Sequence, residues 1–285
     1  MVELKSVDRT KIHAAFLEAF ADYSMGPPAG LSEERLLLRM KKNAVNYDLS
    51  VGAYDGERLV GFTLIGVDSW GDDLAAYDAG TGIVPAFRGQ GLATRMFDHA
   101  LPTLRELGVG RFALEVLKTN EPAIRAYRKA GFEVSRELRS FSADVTAIRA
   151  VPTPLYEIHL IDVTQFVDVA QEADWLPSFE NRISAVRRLE GDVTLFGAFD
   201  GQICIGVYAY SDPLRWFLSL IVRRSHRRRG VGQALLAHAV ARMPDGVARI
   251  AALNVDGSDV GMQAFFARLG FAPLVDQHEM QRLLR

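Results

Sequence analysis

Residues Val51–Phe62 read VGAYDGERLVGF, and residues Phe196–Val207 read FGAFDGQICIGV. Five of the twelve positions are identical, among them the pairs Asp55-Gly56 and Asp200-Gly201. Each pair stands between two apolar runs. Asp-Gly in that setting is a strong local signal for a β-hairpin, because glycine accepts the positive φ such turns require. Two hairpins of one design point to a duplicated fold, and the flanking sequence agrees. Residues 83–132 match 222–271 without a gap at a shift of 139, nine of fifty being identical, including Arg88/Arg227, Gly91/Gly230, His99/His238, Gly131/Gly270 and Phe132/Phe271. The hairpins are related by 145, so the second copy is six residues shorter between hairpin and next strand.

Outward from the first hairpin, the apolar spacing predicts a strand VELKSV, a helix KIHAAFLEAFAD and a Gly-Pro-rich loop MGPPAG. Ser32 then caps a helix with Glu33 and Glu34 in its first turn. After the hairpin come a strand ending near TGIV, helix ATRMFDHALPTLRELG, strand RFALEVL, helix EPAIRAYRKAG closed by Gly131, and a terminal strand pair. Pro152 and Pro154 mark a linker, and LYEIHLID opens the second copy. The expected domains are residues 1–148 and 149–285.

Composition bounds the function. A chain of 285 residues exceeds the ~100–200 usual for one domain. Thirty-three Lys and Arg against 35 Asp and Glu leave a net charge of −2, which argues against a polycation that coats nucleic acid or anionic lipid. Cys204 is the only cysteine, so no intrachain disulfide forms. The start, MVELKSVDRT, is charged where a secretory signal needs an apolar stretch. The longest apolar runs, such as LVGFTLIGV from Leu59, are about half the ~20 residues that cross a bilayer. A soluble, cytoplasmic protein with no membrane partner is expected.

The chemistry-bearing stretch is IVPAFRGQGLATRMF from Ile83, a short glycine-containing loop between a strand and an amphipathic helix. The first amides of a helix lack intrahelical acceptors and carry partial positive charge, so such a loop is built to hold an anion. The donors would be the amides of Arg88, Gly89, Gln90, Gly91, Leu92, Ala93 and Thr94. No Walker loop, HExxH, EF-hand or GxSxG string occurs, and no metal site is expected.

Arg88-Gly-Gln-Gly91-Leu-Ala93 resembles the Q/R-x-x-G-x-G/A acyl-CoA loop of the GNAT superfamily of N-acyltransferases, and Arg227-Arg-Arg-Gly230-Val-Gly232 resembles it again. The preceding hairpin and the later helix ending AYRKAGF (Ala126–Phe132) fit the same family, and the resemblance covers most of both halves. It implies an α/β fold: two tandem domains, each a mixed, mostly antiparallel sheet flanked by helices. It also implies acetyl-CoA as cosubstrate, its pantetheine arm along Gly82 to Val84, and a strand amide of Ile83 or Val84 for the oxyanion. Tyr127 matches the tyrosine that protonates the departing thiolate. Asn120 matches an asparagine that contacts the arm, although Glu121-Pro122 after it also suits a helix N-cap. Asp78 and Glu115 are the candidate general bases. Asp22, Tyr23 and Met25 lie where the family places acceptors, as does the Trp175–Phe179 run of the second half. The acidic residues around Trp70 suit an amine.

The second copy departs at the chemistry: Tyr127 becomes Phe266 and Asn120 becomes Asp259. Arg223, Arg224, Arg227, Arg228 and Arg229 crowd its loop, as a CoA-phosphate grip, a solvated basic face or a nucleic-acid patch. The expectation is a catalytic first half and a degenerate second half. The enzyme would acetylate a small-molecule amine, or else a protein or peptide amine. The non-enzymatic alternative is an acyl-CoA-binding regulatory protein whose arginine loop touches nucleic acid.

Overall fold

Both Asp-Gly pairs turn the chain as their residue types demand: Gly56 and Gly201 each have φ of 58°. The computed structural model describes residues 2–22, 31–150 and 156–284. The chain forms two units, Met1–Arg136 with His278–Arg285, and Glu137–Gln277.

In chain order the first unit holds β1 (Glu3–Ser6), α1 (Ile12–Ala19), α2 (Glu33–Lys42), β2 (Val51–Asp55), β3 (Arg58–Trp70), β4 (Asp73–Ile83), α3 (Leu92–Glu106), β5 (Arg111–Leu117), α4 (Glu121–Lys129) and the start of β6 (Glu133–Asp144). Ser32 caps α2 as its type predicts, accepting the Arg35 N–H. β1 to β4 pair antiparallel in sequence order, and β4 pairs β5 in parallel from Ala75↔Arg111 to Asp78↔Leu114. Beyond Asp78 the two strands share no register, so a gap opens between their C-terminal ends. A bulge at Ala79 in the β3–β4 ladder sits at the same point. One face of this sheet carries a core built with α3 and α4, including Ala76, Phe97, Phe112, Tyr127 and Phe132. A second cluster, with Phe16, Ala19, Phe62 and Leu64, packs α1 and α2 on the sheet.

The second unit continues β6 and adds β7 (Glu157–Leu160), α5 (Val163–Ala170), α6 (Ile183–Arg188), β8 (Thr194–Asp200), β9 (Ile203–Ser211), β10 (Trp216–Val222), α7 (Val231–Ala241), β11 (Arg249–Asp256), α8 (Val260–Arg268) and the start of β12 (Ala272–Leu283). β7, β8, β9 and β10 pair antiparallel, and β10 meets β11 in parallel only at Trp216↔Ala251 and Phe217↔Ala252. A bulge at Leu218 repeats that at Ala79, and the gap follows it. β6 lies antiparallel to β11 through Leu138–Asp144.

The units therefore repeat one mixed α/β plan, but the chain is not cut at residue 148. β6 begins in the first unit and continues into the second, and β12 does the reverse, so the first unit is completed by the last residues described. Met280 and Leu284 are buried in its core, the Leu284 N–H donates to the Gly110 carbonyl at 3.0 Å, and the buried Glu279 carboxylate takes the Arg136 guanidinium at 2.7 Å and the Ser135 hydroxyl at 2.8 Å. The boundary expected from the proline pair misses this because pairing between segments some 140 residues apart leaves no local mark on the sequence. Among the described residues no helix is long and apolar enough to cross a membrane.

Candidate functional site

In the first unit the loop from Pro85 to Gly91 turns β4 into α3. Gly89 and Gly91 have φ of 76° and 70°, the left-handed region that glycine enters at least cost. A β-carbon at either would meet nothing within 4 Å, so the loop faces open space rather than packed protein. That leaves room for an anionic group against the first amides of α3, as the phosphates of CoA require. The amides of Leu92, Ala93 and Thr94 precede the first intrahelical bond, Arg95 N–H to Gly91.

Arg88 does not join them. Its N–H donates to the Pro85 carbonyl, its Nε to Ile83 O at 3.1 Å, one terminal nitrogen to Ala19 O at 2.9 Å, and both terminal nitrogens to the Asp22 carboxylate at 2.6 and 2.7 Å. The guanidinium pins the end of α1 to the loop. The hydrogen bonds from Arg88 hold the Asp22 carboxyl below the usual carboxylate range. The Arg88 N–H and most of its guanidinium donors are thus engaged within the unit, and the Asp22 carboxylate accepts two of them, which departs from the expected roles of a loop donor and an acceptor-facing acid. Tyr23 and Met25 lie outside the described residues.

The two oxyanion candidates also separate. Val84 N–H donates to Val60 O at 3.0 Å and is used by the sheet. Because ladder bonds alternate along an antiparallel pair, Ile83, opposite Gly61, turns its N–H away from β3 and toward the gap.

Asp78 is the last β4 residue in register with β5, and Glu115 is the first β5 residue beyond that pairing, so both residues stand at the mouth of the gap, on opposite faces of the sheet. Asp78 is buried, with Oδ1 accepting the Gly80 N–H at 3.0 Å and Oδ2 the Thr81 hydroxyl at 2.7 Å. Burial outweighs those two bonds and pushes its pKa to about 7. By strand alternation Asp78 shares the sheet face of Ala76, whose cluster contains Tyr127. Tyr127 is 9% exposed, its ring edge-on to Phe97 and Phe132 at 5.9 and 6.1 Å. Asn120 caps α4, its Oδ1 accepting the Ala123 N–H at 3.3 Å. The cap spends the oxygen only, and the NH₂ keeps its donors. The acidic stretch near Trp70 belongs to a hairpin corner instead, where Arg111 lies over the buried Trp70 ring and pairs Asp73 at 3.2 Å.

The second unit serves as an internal control. Arg227 repeats the clamp of Arg88, with Nε to Val222 O at 2.9 Å, a terminal nitrogen to Glu172 O at 3.1 Å, and Asp174 as its acid. Arg224 also binds Asp174, and Arg223 binds Glu172 and Asp168. Three of the five loop arginines are thus held by acids of their own unit, which removes most of the free basic face that a nucleic-acid patch needs. Asp259 caps α8 at 2.9 Å as Asn120 caps α4. The bulges align the strands and place Phe217 at the position of Asp78, while Phe266 stands at that of Tyr127. Both are buried. Sequence comparison found the second exchange and missed the first, although both lie at the shift of 139: Asp78 falls just ahead of the matched stretch 83–132, and the bulge register shows that the shift still holds there.

A cavity of about 730 Å³ opens in the second unit at its gap. Trp175 lines it and is 44% exposed, whereas Phe179 is buried in the core. Sequence reasoning gave no sign of this space, which depends on β10 and β11 separating after two residue pairs.

The sequence pattern of the acetyltransferase (GNAT) family matches residues 14–132 and again 155–271. Streptothricin acetyltransferase of Streptomyces lavendulae is 39% identical over 84 residues, 30% of this chain and 42% of that protein. N-alpha-acetyltransferase 30 of Schizosaccharomyces pombe is 33% identical over 86 residues, 30% of this chain and 57% of that protein. This chain thus spans about half the length of these curated relatives. In fold it is similar to a GCN5-related N-acetyltransferase from Sphaerobacter thermophilus, with TM-score 0.72, 18% identity and coverage of 100% and 96% of the two chains. It is similar too to a tandem GNAT protein from the clavulanic acid biosynthesis pathway, with TM-score 0.73, 17% identity and coverage of 100% and 99%.

Proposed function

The chain belongs to the acetyltransferase (GNAT) family, and from that premise we propose that its first unit transfers an acetyl group from acetyl-CoA to a primary amine of a small molecule. One observation carries the assignment to that unit: on the same backbone plan it keeps Asp78, Tyr127 and Asn120 where the second unit has Phe217, Phe266 and Asp259. The 39% identity to streptothricin acetyltransferase supports a small-molecule acceptor.

In this reading the amides of Gly89 to Thr94 hold the phosphates, and the Ile83 N–H and the Asn120 NH₂ face the arm. Acetyl-CoA, when bound, supplies an activated carbonyl that an amine attacks without an acyl-enzyme. The bond formed is N–C and the bond broken is C–S. Asp78, with its pKa near neutrality, takes the proton the amine loses, directly or through water. Tyr127 donates its phenolic proton to the departing sulfur and regains one from solvent. Glu115 at the opposite lip of the gap favours a cationic amine by its charge. The Ile83 N–H donates to the carbonyl oxygen as charge develops there, an interaction worth ~10²–10³ in rate in other enzymes.

The deciding experiment is thiol release from acetyl-CoA across a panel of small amines and peptide amino termini, with Tyr127→Phe as control. Turnover on small amines that falls ~10²-fold or more in the variant is expected. Peptide turnover in place of it would move the acceptor to the second reading, which similarity to an N-alpha-acetyltransferase supports. No turnover on either would refute the proposal.

A further inference from the structure

Asp78 and Thr81 are three residues apart and would face opposite sides of a regular strand. The bulge at Ala79 brings them to one face. Asp78 pairs with Ile65, Gly80 with Leu64 and Thr81 with Thr63; Ile65 belongs to the core built with α3 and α4, and Leu64 to the cluster under α1 and α2. The Thr81 hydroxyl consequently lies 2.7 Å from Asp78 Oδ2 and 3.0 Å from the Thr63 hydroxyl.

A hydroxyl has one proton to give, and a carboxylate can only accept. The Thr81 proton therefore goes to Asp78, and Thr63 donates to Thr81. Thr63 is fully buried, and among the described residues its hydroxyl has no other hydrogen-bond partner. Reversing the chain would strand the Thr63 proton inside the sheet, which costs an unmade buried hydrogen bond. The chain thus runs one way and ends on the carboxylate.

Among the described residues no charged side chain pairs with Asp78. Asp68 of β3, Asp73 of β4, and Arg111 and Glu115 of β5 alternate onto the opposite face of the sheet. Every charged side chain of α3 and α4 is exposed, from Arg95 and Asp98 to Arg128 and Lys129, and Tyr127 shares the core cluster of that face.

The second unit repeats the bulge without these groups. Tyr208 pairs with Leu220 as Thr63 pairs with Thr81, Phe217 stands at the position of Asp78, and the Tyr208 hydroxyl lies 3.0 Å from His238 Nδ1. The two threonines are present beside the carboxylate and absent where it is absent, although the backbone is the same. That ties them to the acid rather than to the sheet.

We propose that Thr81, backed by Thr63, is the positioning residue of the base: its hydroxyl turns Oδ2 of Asp78 into the sheet and leaves the second lone pair of Oδ1 to take the amine proton. This rests on the proposed function of the first unit. As the amine attacks, its N–H bond breaks, the electron pair stays on nitrogen and the proton bonds to Oδ1, directly or through water. Burial favours the neutral acid, and the bond from Thr81 opposes it. Without that bond Asp78 keeps its proton to higher pH and is a base over a narrower range.

Two readouts on the full chain test this: the titration of the Asp78 carboxyl by carbon-13 NMR, assigned with Asp78→Asn, and the pH profile of kcat/KM in thiol release. Thr81→Val should move both midpoints up by about one to two units, the worth of a hydrogen bond to a charged group. The deficit in kcat/KM at pH 7, roughly 5- to 50-fold from that shift, should narrow as pH rises to 9. Thr81→Ser should restore both midpoints, and Thr63→Val should move them the same way by less. An unmoved carboxyl midpoint in Thr81→Val, or a loss of kcat/KM that is equal at every pH, overturns the proposal while wild-type turnover leaves the function standing. A wild-type chain that turns over no amine at any pH refutes the function, and the proposal falls with it. Should Thr81→Val fail to fold, Thr81→Ala removes the same hydroxyl and is judged by the same two midpoints.

Discussion

In the Asp78→Asn variant the group removed is a carboxylate that burial holds near a pKa of about 7, against an ordinary value of 3.8. A rise of about three units at ~1.4 kcal/mol each makes ionising this side chain in the folded protein cost about 4 kcal/mol. The folded state binds this proton more tightly than the unfolded state does. Its stabilising contribution is therefore complete below about pH 4 and is lost as pH rises toward 7, after which stability is level. Asparagine keeps one oxygen to accept the Gly80 N–H and carries no charge. The variant should match the wild type near pH 4 and exceed it by up to about 4 kcal/mol at pH 8, while turnover drops by ~10²–10⁴ because the base is gone. The stability difference is read locally from native-state hydrogen exchange of the β3–β4 amides at several pH values, and turnover from thiol release. Wild-type kcat/KM should rise with pH through an apparent pKa near 7 and flatten in the variant. Parallel exchange profiles across pH 4–8 would show that Asp78 is not held neutral by burial, and full turnover by the variant would remove it as the base.

Other perturbations separate packing from chemistry. Tyr127→Phe keeps both edge-on ring contacts, so the melting temperature of the first unit should stay within about 2 °C while kcat falls ~10²-fold or more; a matched fall in stability would assign the residue to packing. Arg88→Ala and Asp22→Asn each break the clamp on the end of α1. Both partners are largely exposed, so stability should change by less than about 1 kcal/mol, and KM for acetyl-CoA should rise by similar factors in each single variant and no further in the double. Met280→Ala, far along the chain but fully buried in the first unit, should cost that unit about 2–5 kcal/mol in calorimetry.

The fold was legible because its cues are local and occur twice. Asp-Gly turns, a glycine loop before an amphipathic helix and Gly131/Gly270 at helix ends each act within a few residues, and the repeat confirms one copy by the other. The loop donors at Gly89, Gly91 and Leu92–Thr94 were legible for the same reason. The clamp was not, since Asp22 and Arg88 are 66 positions apart and each looked more useful to a ligand than to its partner. Asp78 was visible as a carboxylate, but its raised pKa comes from burial that no spacing reports. The exchange of Asp78 for Phe217 lies at the same shift of 139, five residues ahead of the matched stretch, and the two bulges fix that register.

The first unit encloses the second in the chain: residues 137–277 lie between Arg136 and the segment that brings Glu279, Met280 and Leu284. During synthesis the unit made first is thus finished last. Its amino-terminal 136 residues leave the ribosome without the strand that covers Gly110 and without the carboxylate that pairs Arg136, and the whole second unit is made before they arrive. The contiguous second unit can complete its core while the first waits with an open sheet edge, a state in which strands recruit foreign partners. A fragment ending at residue 148 would be left in that state permanently. The half proposed to carry the chemistry is thus obtained as a folded protein only when the half without it is synthesised too.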